Sequence, residues 1–125
     1  MVGMEDYFDA VHQLAALVPP GCVLSYGDVA ELLDAGGARQ AGKAMSQAPQ
    51  GTPWWRIVRA DGTLHPALAA RAAEAWQAEQ LAGPTGKISM AKKRWQPDDE
   101  QFARIEQLRR SLRGGAKMSA EDDLI

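Results

Sequence analysis

The sequence predicts a mainly α-helical domain with short strands, organised around a helix-turn-helix. Three observations carry that prediction. Apolar residues recur at helical spacing in several separate segments. Two of these segments are short and adjacent, joined by Asp34-Ala35-Gly36-Gly37, as in a helical hairpin with a Gly-containing turn. The runs left over for strands are only four or five residues long.

Residues 5–18 place Phe8, Val11, Leu14 or Ala15, and Val18 on one helical face, with Glu5, Asp6 and Asp9 near the positive end of the dipole. Pro19-Pro20-Gly21 stops this helix. After the apolar connector Cys22-Val23-Leu24, Ser25 and Asp28 fit a capping box. The helix it opens carries Val29, Leu32 and Leu33. A second helix over 38–48 turns Ala41, Ala44 and Met45 inward and leaves Arg39, Gln40, Lys43 and Gln47 polar.

A loop over 48–53 leads into Trp54-Trp55-Arg56-Ile57-Val58, where residues 56–59 suit a strand and 60–63 a turn into a hairpin. Pro66 fits the first turn of an Ala-rich helix reaching to about Leu81, with Leu68, Ala72, Ala75 and Trp76 on its apolar face. Residues 87–91 alternate polar and apolar, the pattern of a strand on an exposed sheet face. Trp95 and Pro97 close that unit. A last helix over 98–113 bears the stripe Phe102, Ile105, Leu108 and Leu112, with Gly114 at C′ and a flexible tail over 114–125. The expected organisation is therefore one domain over 1–97, a C-terminal helix over 98–113, and that tail.

At 125 residues, with 46% apolar and 24% charged residues, the chain can bury a real core. It has no run long enough to cross a bilayer, and its first residues are acidic where a secretory signal would be basic. The single cysteine, Cys22, forms no internal disulfide, so a reducing cytoplasm is the expected compartment. The net charge of −2 argues weakly against nucleic acid, but its distribution argues otherwise. Residues 1–34 hold six carboxylates and neither Lys nor Arg, whereas the only charges over 36–59 are Arg39, Lys43, Arg56 and Arg59. Such segregation either cancels in three dimensions or makes one positive face suited to phosphate.

Little in the sequence supports catalysis. His12 and His65 lack metal-ligand spacing, Cys22 has no basic neighbour, and Ser25 is accounted for as a cap. No cofactor or metal is expected. The paired Trp54 and Trp55 hold half of the chain's tryptophan; on residue type alone they fill a core, covered by the stem of Arg56.

Three motifs in order alter that reading of the pair: Val18-Pro-Pro-Gly-Cys-Val-Leu-Ser-Tyr-Gly-Asp-Val-Ala, Ala38-Arg-Gln-Ala-Gly-Lys-Ala-Met and Pro53-Trp-Trp-Arg-Ile-Val. Together, over about residues 7–79, they resemble the C-terminal domain of O6-alkylguanine-DNA alkyltransferases, a winged helix-turn-helix-like fold. Those enzymes carry Pro-Cys-His-Arg, and here Trp54 stands at the alkyl-accepting cysteine and Trp55 at the histidine. Trp at the cysteine position resembles the alkyltransferase-like proteins, which bind alkylated guanine without repairing it and flag it for nucleotide excision repair. Trp55 departs from their usual pattern, which keeps the histidine. Loss of the sulfur excludes alkyl transfer at that position.

The resemblance implies a monomer, not an enzyme, that binds double-stranded DNA carrying O6-alkylguanine, flips the nucleotide, and engages nucleotide excision repair proteins. It implies no membrane role. It puts residues 38–48 in the minor groove, Arg39 in the vacated base stack, and Tyr26 against the 3′ phosphate with Ser25 nearby. Gln40 and Lys43 join them as DNA contacts. Tyr26, Met45, Trp54, Trp55, Arg56 and Ile57 form the implied lesion pocket, Arg56 more as an organiser of the segment than as a base reader. Gly36-Gly37 replaces the family's Gly-x-Pro, Ala48 its Asn, and the loop over 61–67 is shorter than its counterpart. The alternative is a winged-helix DNA-binding or regulatory adaptor without lesion specificity, in which Trp55 or the altered loop over 61–67 closes the pocket.

Overall fold

An apolar stripe and an acidic first turn produce the first helix, α1 (Met4–Leu17), which buries Tyr7, Ala10, Val11, Leu14 and Ala15. The computed structural model describes residues 3–121, and side chains as far as Arg113. After Pro19-Pro20-Gly21 comes β1 (Leu24–Ser25), then α2 (Tyr26–Leu33) and α3 (Ala38–Met45). A 3-10 turn (Trp54–Arg56) leads into β2 (Ile57–Val58), followed by α4 (Pro66–Ala78), α5 (Met90–Lys93) and α6 (Asp99–Glu121). Among the described residues the order is mainly helical with two short strands, the class the sequence predicts, although β1 begins in the segment read as an apolar connector.

Two apolar clusters share the interior. The larger joins α1, α2, α3 and α6 through residues such as Leu14, Val29, Leu33, Ala44, Ile57, Trp95 and Ile105. The smaller sets Trp76 and Ala72 of α4 with Val23, Val58, Leu64, Leu81 and Ile88. Each buried Leu or Ile adds roughly 1.5–3 kcal/mol of hydrophobic stabilisation.

The tight link from α2 to α3 has a steric reason. Asp34 caps α2 in the left-handed region, and Gly36 follows at φ 72°. A Cβ on Gly36 would lie 2.6 Å from the buried Tyr7 hydroxyl, so only glycine lets α1 approach the turn.

Several sequence expectations are corrected by the structure. Strand pairing is parallel, Leu24 beside Ile57 and Ser25 beside Val58, with no hairpin after β2. The 60–63 turn does form: Asp61 Oδ1 accepts from the Thr63 amide (3.1 Å) and hydroxyl (2.6 Å). No return strand follows it, because Pro66 starts α4 three residues later, and α4 ends at Ala78 rather than near Leu81.

Residues 87–91 are not a strand. Ile88 makes one isolated antiparallel bridge to Ala82, and beyond it the Ser89 carbonyl accepts from Lys92 and Lys93 as α5 begins. An alternating run without a neighbouring strand falls back on local helical bonds. Gly62 anchors this segment: its carbonyl accepts from Ile88 N at 2.9 Å. A Cβ on Gly62, which sits at φ 84°, would lie 2.0 Å from the Ile88 carbonyl oxygen.

α3 ends at Met45 instead of Ala48. α6 does not stop at Gly114 but continues to Glu121, so the part of the expected tail over 114–121 is helical. Residues 122–125 of that tail lie outside the described residues. Ile105 and Leu112 of its stripe are buried, whereas Phe102 remains 45% exposed.

Candidate nucleic-acid interface

The start of α2 is fixed by its own cap. Ser25 Oγ accepts from Asp28 N at 3.0 Å and Asp28 Oδ2 accepts from Ser25 N at 2.9 Å. The Ser25 hydroxyl is thus buried and engaged in the cap. Tyr26, the first helical residue, packs against both apolar clusters. Burial pushes its hydroxyl above the ordinary tyrosine value, and the positive Arg59 pulls in the opposite direction.

α3 presents Arg39, Gln40 and Lys43 outward, while Ala41, Ala44 and Met45 are buried. Gln40 Oε1 accepts from Gly37 N at 3.0 Å, which ties that side chain to the helix start. The other end of α3 is held by His12, whose Nε2 donates to the Ala44 carbonyl at 2.7 Å. Arg39, Lys43, Arg59 and Arg71 have no carboxylate partner among the described residues. Such unneutralised cations are what phosphate attracts.

Next to α3 opens a cleft of about 260 Å³ whose walls include Tyr26, Gly42, Met45, Trp54, Leu68 and Arg71. Trp54 stands in it because the 3-10 turn divides the tryptophan pair, the two rings meeting edge-on at 5.9 Å and 84°. The Arg71 guanidinium lies 5.1 Å from the Trp54 ring centroid, within cation–π range.

Trp55 points elsewhere. Its Nε1 donates to Glu79 Oε2 at 2.8 Å, and its carbonyl accepts from Trp76 Nε1 at 2.8 Å. Arg56 Nη2 is paired with Glu79 at 2.7 Å and Nη1 donates to the Val18 carbonyl at 3.0 Å. Glu79 also accepts from Gly21 N at 3.0 Å. Burial works to raise the Glu79 carboxyl, but bonds from Arg56, Gly21 and Trp55 outweigh it and hold it below its ordinary value.

Of the pocket residues named from the sequence, the structure therefore brings Tyr26, Met45 and Trp54 together at the cleft. Trp55, Arg56 and Ile57 do not line it: the first two hold the turn on Glu79, and Ile57 is fully buried. Leu68 and Arg71 are wall residues that sequence reasoning missed. The available signal was Arg71 as the sole basic residue of an Ala-rich helix. Among the described residues no cluster of His, Cys, Asp and Glu is suited to a metal ion, and no helix is long and apolar enough to cross a membrane.

Residues 6–83 match the family model of the 6-O-methylguanine DNA methyltransferase, DNA binding domain. The chain belongs to this family. A DNA base-flipping protein of Escherichia coli (strain K12) is 37% identical over 99 residues, covering 73% of this chain and 76% of that relative. Its counterpart in Shigella flexneri matches with the same figures. Among solved structures, S. pombe Atl1 in complex with damaged DNA containing O6-carboxymethylguanine superposes with a TM-score of 0.67 at 24% identity. That match covers 76% of this chain and 99% of Atl1. S. pombe ATL in complex with DNA gives a TM-score of 0.66 at the same identity and coverage. These relatives bear out the resemblance to alkyltransferase-like proteins, and the structural matches bear out the fold. The family model ends before α5 and α6.

Proposed function

We propose that the chain recognises O6-alkylguanine in double-stranded DNA by receiving the flipped nucleotide in the Tyr26–Met45–Trp54 cleft, without chemical repair. The observation that carries this is the cleft itself: an aromatic wall at Trp54, directly beside a helix whose outer side bears Arg39, Gln40 and Lys43. A flipped base can stack on an aromatic ring for about 1–3 kcal/mol. Arg39 is suited to fill the vacated stack, since its planar guanidinium both stacks and donates hydrogen bonds. Tyr26 flanks the extruded nucleotide at the mouth of α2, with Arg71 braced on Trp54 from the other wall.

The non-enzymatic part rests on sulfur. Alkyl transfer needs a thiolate at the lesion, and Trp54 supplies none. Cys22, the single cysteine, packs against the larger core cluster and is not among the cleft walls. Such a chain works as a flag: it acts as a cytoplasmic monomer and hands the marked site to nucleotide excision repair proteins. Names of the relatives, a base-flipping protein and a protein bound to damaged DNA, support the same reading.

One ground for the adaptor alternative, closure of the pocket by Trp55, is not met, since its indole is held on Glu79. Affinities for otherwise identical duplexes with and without one O6-methylguanine test the proposal. Tighter binding to the lesion duplex is expected, and equal affinities would overturn lesion recognition.

A further inference from the structure

A second concavity lies where α2 meets the C-terminal segments. It measures about 380 Å³, and its floor is apolar, made by Leu24, Leu32, Trp95, Pro97 and Phe102. Phe102 belongs to the α6 stripe whose later members, Ile105 and Leu112, are buried, yet it stays 45% exposed. Among the described residues only Met4 is another large apolar side chain so open to solvent. The stripe thus runs past the chain's own core and ends on an unpartnered aromatic ring.

The rim of the groove is acidic. Asp28 is engaged with Ser25 N and with Arg94 Nε at 2.9 Å. Glu31 is exposed and has no ion pair among the described residues. With Arg94 neutralised by Asp28, the uncompensated charge on the rim is the Glu31 carboxylate. An apolar floor beside a free carboxylate fits an apolar side chain followed, about one helical turn away, by a cation.

The groove is lined by neither Arg39 nor Lys43 of α3. Gly27, Ala30 and Asp34 line the hollow at the α2–α3 turn, Asp28 and Leu32 line this groove, and Glu31 stands on the ridge between them and borders both. An occupant here leaves Arg39 and Lys43 uncovered. Most of the groove is built by residues 94–102, beyond the span of 6–83 that the family model matches.

We infer that this groove docks a segment of a separate protein carrying an aromatic or branched apolar residue with an Arg or Lys one turn away. The inference adds a partner surface to the flag reading, since a chain that marks a site without repairing it has to be read by another protein. Its test uses no DNA, so it can fail or succeed independently of lesion recognition.

The probes are two capped nine-residue peptides, Ser-Ala-Phe-Ala-Ala-Ala-Arg-Ala-Ser and its twin with Glu in place of Arg. Each is titrated into the 15N-labelled full chain and followed by NMR. Saturable shifts are expected at Leu32, Trp95 and Phe102, with the Arg peptide about fivefold tighter than the Glu peptide. Glu31→Lys should reverse that order, and Phe102→Ser should weaken both peptides by about tenfold. Both altered side chains are exposed, so an unchanged circular dichroism spectrum and Tm are expected alongside. Shifts scattered over the surface, or an order of affinities that Glu31→Lys leaves unchanged, would overturn the inference. A dimer seen by sedimentation and abolished by Phe102→Ser would overturn it in favour of a second copy of this chain.

Discussion

The indole N–H of Trp55 donates to the Glu79 carboxylate at 2.8 Å, and this bond separates the roles of two adjacent tryptophans. Glu79 also receives Arg56 and the Gly21 amide, so one side chain joins the loop after α1, the 3-10 turn and the end of α4. With Trp55 committed to that side, Trp54 is left to face the cleft with Arg71 over its ring. Residues that carry no wall of the cleft therefore decide its shape.

Removing the carboxylate should loosen all three attachments. Glu79→Gln leaves the Arg56 guanidinium, 13% exposed, without a counter-charge and is expected to cost about 2–4 kcal/mol of stability. The Glu79 carboxyl sits below the ordinary glutamate value, so its contribution is present above that ordinary value and lost as pH falls through the lower folded one. Thermal melts of both proteins should differ most above the ordinary glutamate range and converge in stronger acid.

Arg39 is exposed and has no carboxylate partner among the described residues. Arg39→Ala is expected to weaken binding to an O6-methylguanine duplex by about 1–3 kcal/mol, the scale of a lost stacking contact. The Tm should not move. Fluorescence anisotropy with a labelled duplex, paired with a melt, checks both; unchanged affinity would remove Arg39 from the mechanism.

Trp54→Ala should act on selectivity rather than on DNA affinity as such. The lesion preference should fall by about 1–3 kcal/mol while binding to the undamaged duplex holds. Arg71→Ala, which only unbraces the ring, should give the same pattern at about 0.5–1 kcal/mol. An equal loss on both duplexes would mean that the cleft does not see the base.

The C-terminal helix α6 is predicted to be structural as well as a groove wall. Ile105 is fully buried in the larger cluster between α6 and α1, and Ile105→Ala should cost about 2–5 kcal/mol by urea unfolding. DNA affinity measured on the folded fraction should be unchanged, because α6 contributes nothing to the cleft.

The sequence by itself determined the five longer helices to within their ends, the cap of α2 and the family. The Ser25–Asp28 box, the α1 stripe and the glycines before α3 are local signals, set by backbone bonding and side chains a few residues apart. Tyr26, Met45 and Trp54 were legible as wall residues because the motifs that contain them were recognisable. Tertiary structure decided the rest. Whether residues 87–91 extend or coil depended on a neighbouring strand that is absent, and β2 found its partner 33 residues back, at Leu24, rather than in a hairpin. The split between Trp54 and Trp55 needed Glu79, and Arg71 reached the cleft only through the packing of α4 on the 3-10 turn. Those are contacts between groups far apart in the chain, and no spacing within one segment encodes where a distant carboxylate or guanidinium will arrive.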